Sequence, residues 1–251
     1  MTAVFTHIPP WLLHAIAVFL LAGLVKGVVG LGLPTVAMAL LALRMAPAEA
    51  AALLVVPSLA TNVWQMRPWG TLLPLARRLA GLLLGVCAGT WAGAWWLGAP
   101  AGAWARTALG MALVAYALWS LAGWPVRVAA RHEGWLGTAM GAITGAVTAA
   151  TGVFVVPAVP YLQALGLDRN GLVQAMGLSF TVSTLALAAG LAGNAGLTAP
   201  VLGWSALLLA PALAGMGAGG WLRQRLSPLW FKRCMMVGLL ALGVHMVWSG
   251  F

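Results

Sequence analysis

Apolar stretches approaching twenty residues, separated by short Arg-bearing loops, recur along the whole chain. About twenty such residues cross the ~30 Å hydrocarbon core of a bilayer as a helix, so this feature alone removes most folds from consideration. Of the 251 residues 63% are hydrophobic and 6% are charged, with a mean hydropathy of +0.99. A soluble domain carries about 25% charged residues, and too little polar surface remains here to cover a buried core. The runs are continuous rather than alternating, which argues against a spanning β-barrel. The chain is therefore expected to be an all-α polytopic membrane protein, a single transmembrane domain over 1–251. The N-terminal MTAVFTHIPPW lacks the basic region of a cleaved signal, so the whole chain is read as mature. Cys87 and Cys234 lie in apolar runs and read as small buried hydrophobes rather than a disulfide framework.

Within this pattern residues 19–65 and 137–187 read alike. Each is an apolar segment interrupted by Gly, Thr and Pro, then a polar kink, then a helix carrying Ser, Thr or Asn. Gly23 and Gly27 match Gly141 and Gly145, and Pro34 falls near Pro157 if a gap is allowed. The expected elements are a broken pair over 11–43 and spans near 48–66, 79–97 and 106–124. A second broken pair covers 135–165, followed by spans near 171–193, 199–221 and 234–249. This makes two repeats, 11–124 and 135–249. Interrupted hydrophobic segments in corresponding places of two halves point to a transporter's binding site.

Charge decides how the broken pairs cross. The net charge is +10, from 13 Lys and Arg against three acids. The basic residues sit in short loops between spans, where they set topology, so nucleic acid is not the expected partner. If both broken pairs crossed the membrane, five loop cations would face seven. If each is a re-entrant hairpin, Arg67, Arg77, Arg78, Arg127, Arg131, Arg169, Arg223, Arg225, Lys232 and Arg233 share one side. Arg44 and Arg106 alone lie opposite, and ten against two is the positive-inside pattern. Three crossings per half then invert the second repeat relative to the first. The expected fold is two inverted repeats, each a broken re-entrant hairpin plus three transmembrane helices, with the hairpins meeting near the midplane.

The breaks supply the candidate site. Gly30, Gly32, Pro34 and Thr35 interrupt the first pair, and Thr148, Thr151, Gly152 and Pro157 the second. Irregular backbone at membrane depth is tolerated where protein or water satisfies it, and a half-helix starting there aims free N–H groups and a positive dipole end inward. Two such ends facing one cavity would hold an anion, while close packing is the plainer use of such glycines. Lys26 is the only basic residue well inside an apolar run, one turn before Gly30. An intramembrane charge is a functional candidate by default, with snorkelling as its alternative. Ser58, Thr61, Asn62 and Gln65 punctuate the helix after the first hairpin, and Ser179, Thr181, Ser183 and Thr184 the helix after the second. Their hydroxyls and amides suit oxyanion oxygens, or else bond their own backbone. Asn62 and Ser183 rank first among them, and Ser179 is also a candidate. Glu49 and Asp168 read as helix caps, with proton coupling as the alternative, and Glu133 as a solvated loop carboxylate. No enzyme is expected. His7, His14, His132 and His245 are scattered, no metal-ligand spacing exists, and GVVGLG follows no strand, so no cofactor is implied.

The motifs GLVKGVVGLGLP with AAALLVVPSLATNVWQ, and GAITGAVTAATGVFVVPAVPYLQALGLDRNGLVQAMGLSFTVSTLALA, closely resemble the sulfite exporter TauE/SafE family over nearly the whole chain. The second-half motif is the more specific. Thr148 and Thr151 stand where that family often has glycines, and Leu33 where a third glycine is common. The resemblance implies a permease of the bacterial inner membrane that exports sulfite, sulfonates or related sulfur oxyanions, coupled to a proton or sodium ion. The alternatives are a carboxylate permease and a non-transporting membrane scaffold. The implied partners are a small anionic substrate and the lipid bilayer; oligomeric state is not legible.

Overall fold

The computed structural model describes residues 9–100, 102–124, 126–194, 196–225 and 227–249. The N-terminal MTAVFTHI, with His7, lies outside them. Among the described residues the chain is all helix, with no strand. The elements are α1 (Pro10–Val29), α2 (Leu33–Leu41), α3 (Pro47–Gln65), α4 (Leu72–Arg78), α5 (Ala80–Leu97) and α6 (Gly102–Ala122). The second half supplies α7 (Glu133–Thr151), α8 (Ala158–Ala164), α9 (Arg169–Gly193), α10 (Ala199–Leu222) and α11 (Pro228–Trp248).

The helix ends follow the local chemistry. Gly30 and Gly152 stop α1 and α7 in the left-handed conformation, at φ +81° and +71°. Each donates its N–H to the carbonyl four residues back, Lys26 and Thr148, which satisfies an end carbonyl. Asp168 opens α9 by accepting from Gly171 N at 3.2 Å and Asn170 N at 3.3 Å, and Glu49 accepts from Ala46 N at the start of α3. Both carboxylates are caps.

Six helices are long and apolar enough to cross a membrane: α1, α5, α6, α9, α10 and α11. The number equals the six crossings expected from the loop charges, but α1 stands in the place expected for α3. The polar residues Ser58, Thr61, Asn62 and Gln65 lower the hydropathy of α3. Two further differences bear on function. A short helix, α4, precedes α5, and α11 starts six residues before the expected 234, which moves Lys232 and Arg233 from a loop onto a helix.

α1 packs along α10, α7 along α5, α3 against α9 and α6 against α11. Apolar attraction between helices is weak in lipid, so backbones must approach closely through small residues. The matching glycines of the two halves do this: Gly23 and Gly27 lie on the backbone of α10 at Ala212 and Met216, and Gly141 and Gly145 on that of α5 at Leu82 and Val86.

Both broken pairs fold back on themselves. Gly32 lies beside Val25, and Leu40 O lies 3.3 Å from His14 Nε2, so α2 returns along α1. Tyr161 donates to Glu133 O at 2.7 Å and Val128 N–H to Ala164 O at 2.9 Å, so the chain leaves α8 where it entered α7. The loops gather at two ends. At one, Arg78 bonds Glu133 and Leu165 O, while Gln174 donates to Met66 O and Pro68 O. At the other, Ala48 N–H donates to Pro100 O, and Arg44 shares a cavity with Gly196.

The two breaks do not lie at one level. Gly30 O accepts from Gln65 Nε2 at 3.0 Å, whereas Gly152 sits against Ala51 and Met38. Fourteen residues of α3 separate Ala51 from Gln65, about 21 Å at the helical rise. The expected meeting of both breaks in one midplane cavity is therefore not what the hairpins form: their arms overlap, with Gly152 packed against the middle of α2.

Candidate anion site

Lys26 occupies the last turn of α1 and is 5% exposed. Its ammonium donates to Thr61 Oγ1 at 3.0 Å and to Asn62 Oδ1, both on the last turns of α3. Thr61 in turn donates to Pro57 O at 2.7 Å, which leaves its lone pairs facing the lysine. Both partners of the ammonium are neutral, and a lysine has a third N–H to give. A buried cation without a carboxylate is costly, so this charge is an unusual thing for a fold to keep.

Asn62 is fully buried, and its Nδ2 has no acceptor among the described residues. The amide orientation follows from the lysine, since only the oxygen can face an ammonium. A free amide N–H₂ thus lies on the same residue that holds the Lys26 charge. Gln65, one turn on, donates to Gly30 O and to Val173 O at 3.2 Å, which ties the break to both α3 and α9.

Lys26, Thr61 and Gln65 border a cavity of about 530 Å³, with Asn62 buried behind them. Lys26, Gly30, Thr61 and Gln65 form its inner wall, and Arg169, Arg223 and Lys232 stand around it. A Cβ on Gly30 would meet nothing within 4 Å, so the break faces open space. No acid lines the cavity among the described residues. Glu49 and Asp168 are spent on caps, and Glu133 is paired with Arg78 at 2.8 Å. Four cations around one opening, without a counter-charge, set up a positive potential that draws anions.

The remaining candidates divide. Thr35, in the first turn of α2, is fully buried with an unpartnered hydroxyl, as are Ser179 and Ser183 on α9. Ser58 on α3 adds a fourth such hydroxyl. Gly32 takes φ +108° but is packed against Val25 and Met235 rather than open. The second break differs in kind. Thr148 donates to Thr144 O and Thr151 to Val147 O, each at 2.7 Å, and Thr151 Oγ1 also accepts from Val153 N. Gly152 is covered by Met38 and Ala51. Lys26, Gly30 and Asn62 are brought together; Thr148, Thr151 and Gly152 lie elsewhere, in a closed turn.

Arg169, Arg223 and Lys232 were legible only as topology charges. Lys232 reaches the cavity because α11 begins earlier than its apolar run suggests. At the opposite end a smaller cavity of about 370 Å³ is lined by Trp11, Arg44, Glu49, Leu53 and Trp204, with one charge of each sign.

The model of one protein family, Sulfite exporter TauE/SafE, matches residues 15–246. Comparison with curated proteins and with solved structures finds no match.

Proposed function

The chain belongs to the sulfite exporter TauE/SafE family, and on that premise we propose that it is a secondary exporter of small sulfur oxyanions that bind at Lys26 and Asn62. The observation that carries this reading is a buried ammonium held only by neutral oxygens at the inner wall of a cavity whose charged residues are all cations, with the acceptor-less amide N–H₂ of Asn62 buried directly behind it. An oxyanion offers several acceptor atoms and the missing negative charge, so one ligand answers both deficits. Charge-assisted hydrogen bonds of this kind are the strong ones.

Around this centre the roles divide by position. Arg169, Arg223 and Lys232 gather the anion, Lys26 supplies the counter-charge, and Asn62 and Thr61 fix orientation. Gly30 leaves room for the ligand at the break. The buried hydroxyls of Thr35, Ser58, Ser179 and Ser183 serve the dehydrated anion further along the path between α2, α3 and α9, with the N-terminus of α2 and its Gly32 cap behind them. The basic end faces the cytoplasm of a bacterial inner membrane by the positive-inside rule, which places the gathering cavity on the loading side for export. The two halves form an inverted repeat with α1–α2 and α7–α8 as re-entrant hairpins. In support, every major helix pairing persists when α1, α3, α5 and α6 are exchanged for α7, α9, α10 and α11. Rocking of one half on the other, driven by a proton or sodium gradient, alternates access.

A ligand that binds only the folded state raises its unfolding temperature. Purified protein screened against sulfite, thiosulfate, sulfate, sulfoacetate, taurine and short carboxylates should be stabilised most by a sulfur oxyanion. Greater stabilisation by a carboxylate transfers the reading to a carboxylate permease, and no stabilisation by any anion favours a scaffold.

A further inference from the structure

α3 contains a proline in mid-helix, Pro57. Proline has no N–H, so the carbonyl four residues earlier, that of Leu53, loses its helical partner. Inside a membrane such a group is expensive to leave open. The structure closes it from another helix: Ser205 of α10, fully buried, donates its hydroxyl to Leu53 O at 2.8 Å. The Ser205 Oγ in turn accepts from Val56 N–H at 3.1 Å. One side chain therefore takes the place of the missing bond and ties the turn that precedes Pro57 to α10.

Pro57 sits between the two cavities. Leu53, just above it, lines the smaller cavity at the opposite end. Thr61, just below it, bonds the carbonyl of Pro57 itself and holds Lys26, with Asn62 next in sequence. Hydrogen bonds at Leu53, Val56, Pro57 and Thr61 thus lead from Ser205 through two turns of α3 to the Lys26 ammonium.

We propose that Ser205 is a positioning residue for the anion site: it pins α3 at Pro57 and so sets Thr61 and Asn62 against Lys26. It touches no ligand, and acts on affinity by holding the turn of α3 before Pro57 in place, from which the bonds at Pro57 and Thr61 run to Lys26. Because α10 also packs along α1, the helix that carries Lys26, the pin fixes both walls of the site relative to a single helix. The inference rests on the reading of Lys26 and Asn62 as the place where the anion binds.

The test uses the full chain as wild type, Ser205→Ala, Pro57→Ala and the double variant. Sulfite flux into proteoliposomes and hydrogen exchange of the α3 amides are read on all four. Ser205→Ala should raise KM for sulfite about fivefold to tenfold, the size of one lost hydrogen bond, with Vmax within about twofold. It should also speed exchange between residues 54 and 60. In the Pro57→Ala background the backbone N–H gained at position 57 can donate to Leu53 O, so adding Ser205→Ala should change neither quantity further. Equal effects of Ser205→Ala in both backgrounds, or an unchanged KM in the single variant, would overturn the proposal. Unchanged exchange in Ser205→Ala overturns it whatever the flux. If wild type carries no sulfite while the exchange pattern holds, the transport reading falls and the pin stands.

Discussion

The two hairpins have the same outline and opposite characters. In α1–α2 the break opens on a cavity, a charged side chain stands one turn before it, and among the described residues the packed arms share one side-chain hydrogen bond, at their far end, between His14 Nε2 and Leu40 O at 3.3 Å. In α7–α8 the break is covered, its threonine hydroxyls are absorbed by their own backbone, and the arms are clamped. There Arg78 grips Glu133 through two 2.8 Å bonds and also reaches Leu165 O, while Tyr161 bonds Glu133 O. The helix behind each hairpin repeats the contrast. Gly81, Gly85 and Gly89 of α5 meet α7 backbone to backbone, a longer run of such contacts than α10 offers α1 through Gly215 and Gly219. The two broken pairs thus differ at the break itself: the first is open beside a cavity ringed by cations, and the second is covered with its hydroxyls bonded to backbone.

The contrast breaks most readily at Gly141. A Cβ there would fall on the Leu82 carbonyl, which is backbone and cannot yield. Gly141→Val should destabilise by about 3 kcal/mol or more, at the upper end of overpacking costs, and show as lost monodispersity and a lowered unfolding temperature in detergent. Gly30→Ala, by contrast, meets no atom and bears only the left-handed φ, a cost of about 1–2 kcal/mol. Similar losses in both would erase the distinction between packed and open breaks.

A smaller effect belongs to the clamp. The Arg78 guanidinium hydrogen-bonded to Glu133 holds that carboxyl below the usual carboxylate range. Because the folded pKa is the lower one, the unfolded chain binds the extra proton. The stabilisation is complete above the unfolded value of about 4.3 and drains away as pH falls through the folded pKa. The pair is partly exposed, 41% at Arg78, so Glu133→Gln should cost only about 0.5–1 kcal/mol at pH 7. The gap in unfolding temperature between wild type and variant should narrow toward acid, and KM for the anion should stay within about twofold. A pH-independent gap would remove the ion pair from the account of the second hairpin.

Much of this was legible in the residues themselves. Long apolar runs with interrupted, paired segments announced the helices and the breaks, and Lys26 stood out because a charge inside such a run needs a reason. The heights of the breaks were hidden, since a glycine stops a helix without saying what lies at that depth. Arg169, Arg223 and Lys232 were hidden because a cation near a span end serves topology and ligand attraction alike. A helix-interior proline such as Pro57 leaves the carbonyl four residues earlier open, but this was not read from the residues, and the group that closes it, Ser205, lies 149 residues from Val56 and shows only in the packing of α10 on α3.

The central claim is that the Lys26 charge exists for an anion. Equilibrium binding of sulfite to purified wild type and Lys26→Met, each with its unfolding temperature, tests it directly. Losing a charged hydrogen-bond donor should weaken binding at least about tenfold. The variant should remain as stable as wild type or more so, because a buried unpaired charge is replaced by an apolar chain of similar length. Equal affinity in the two proteins would contradict the account.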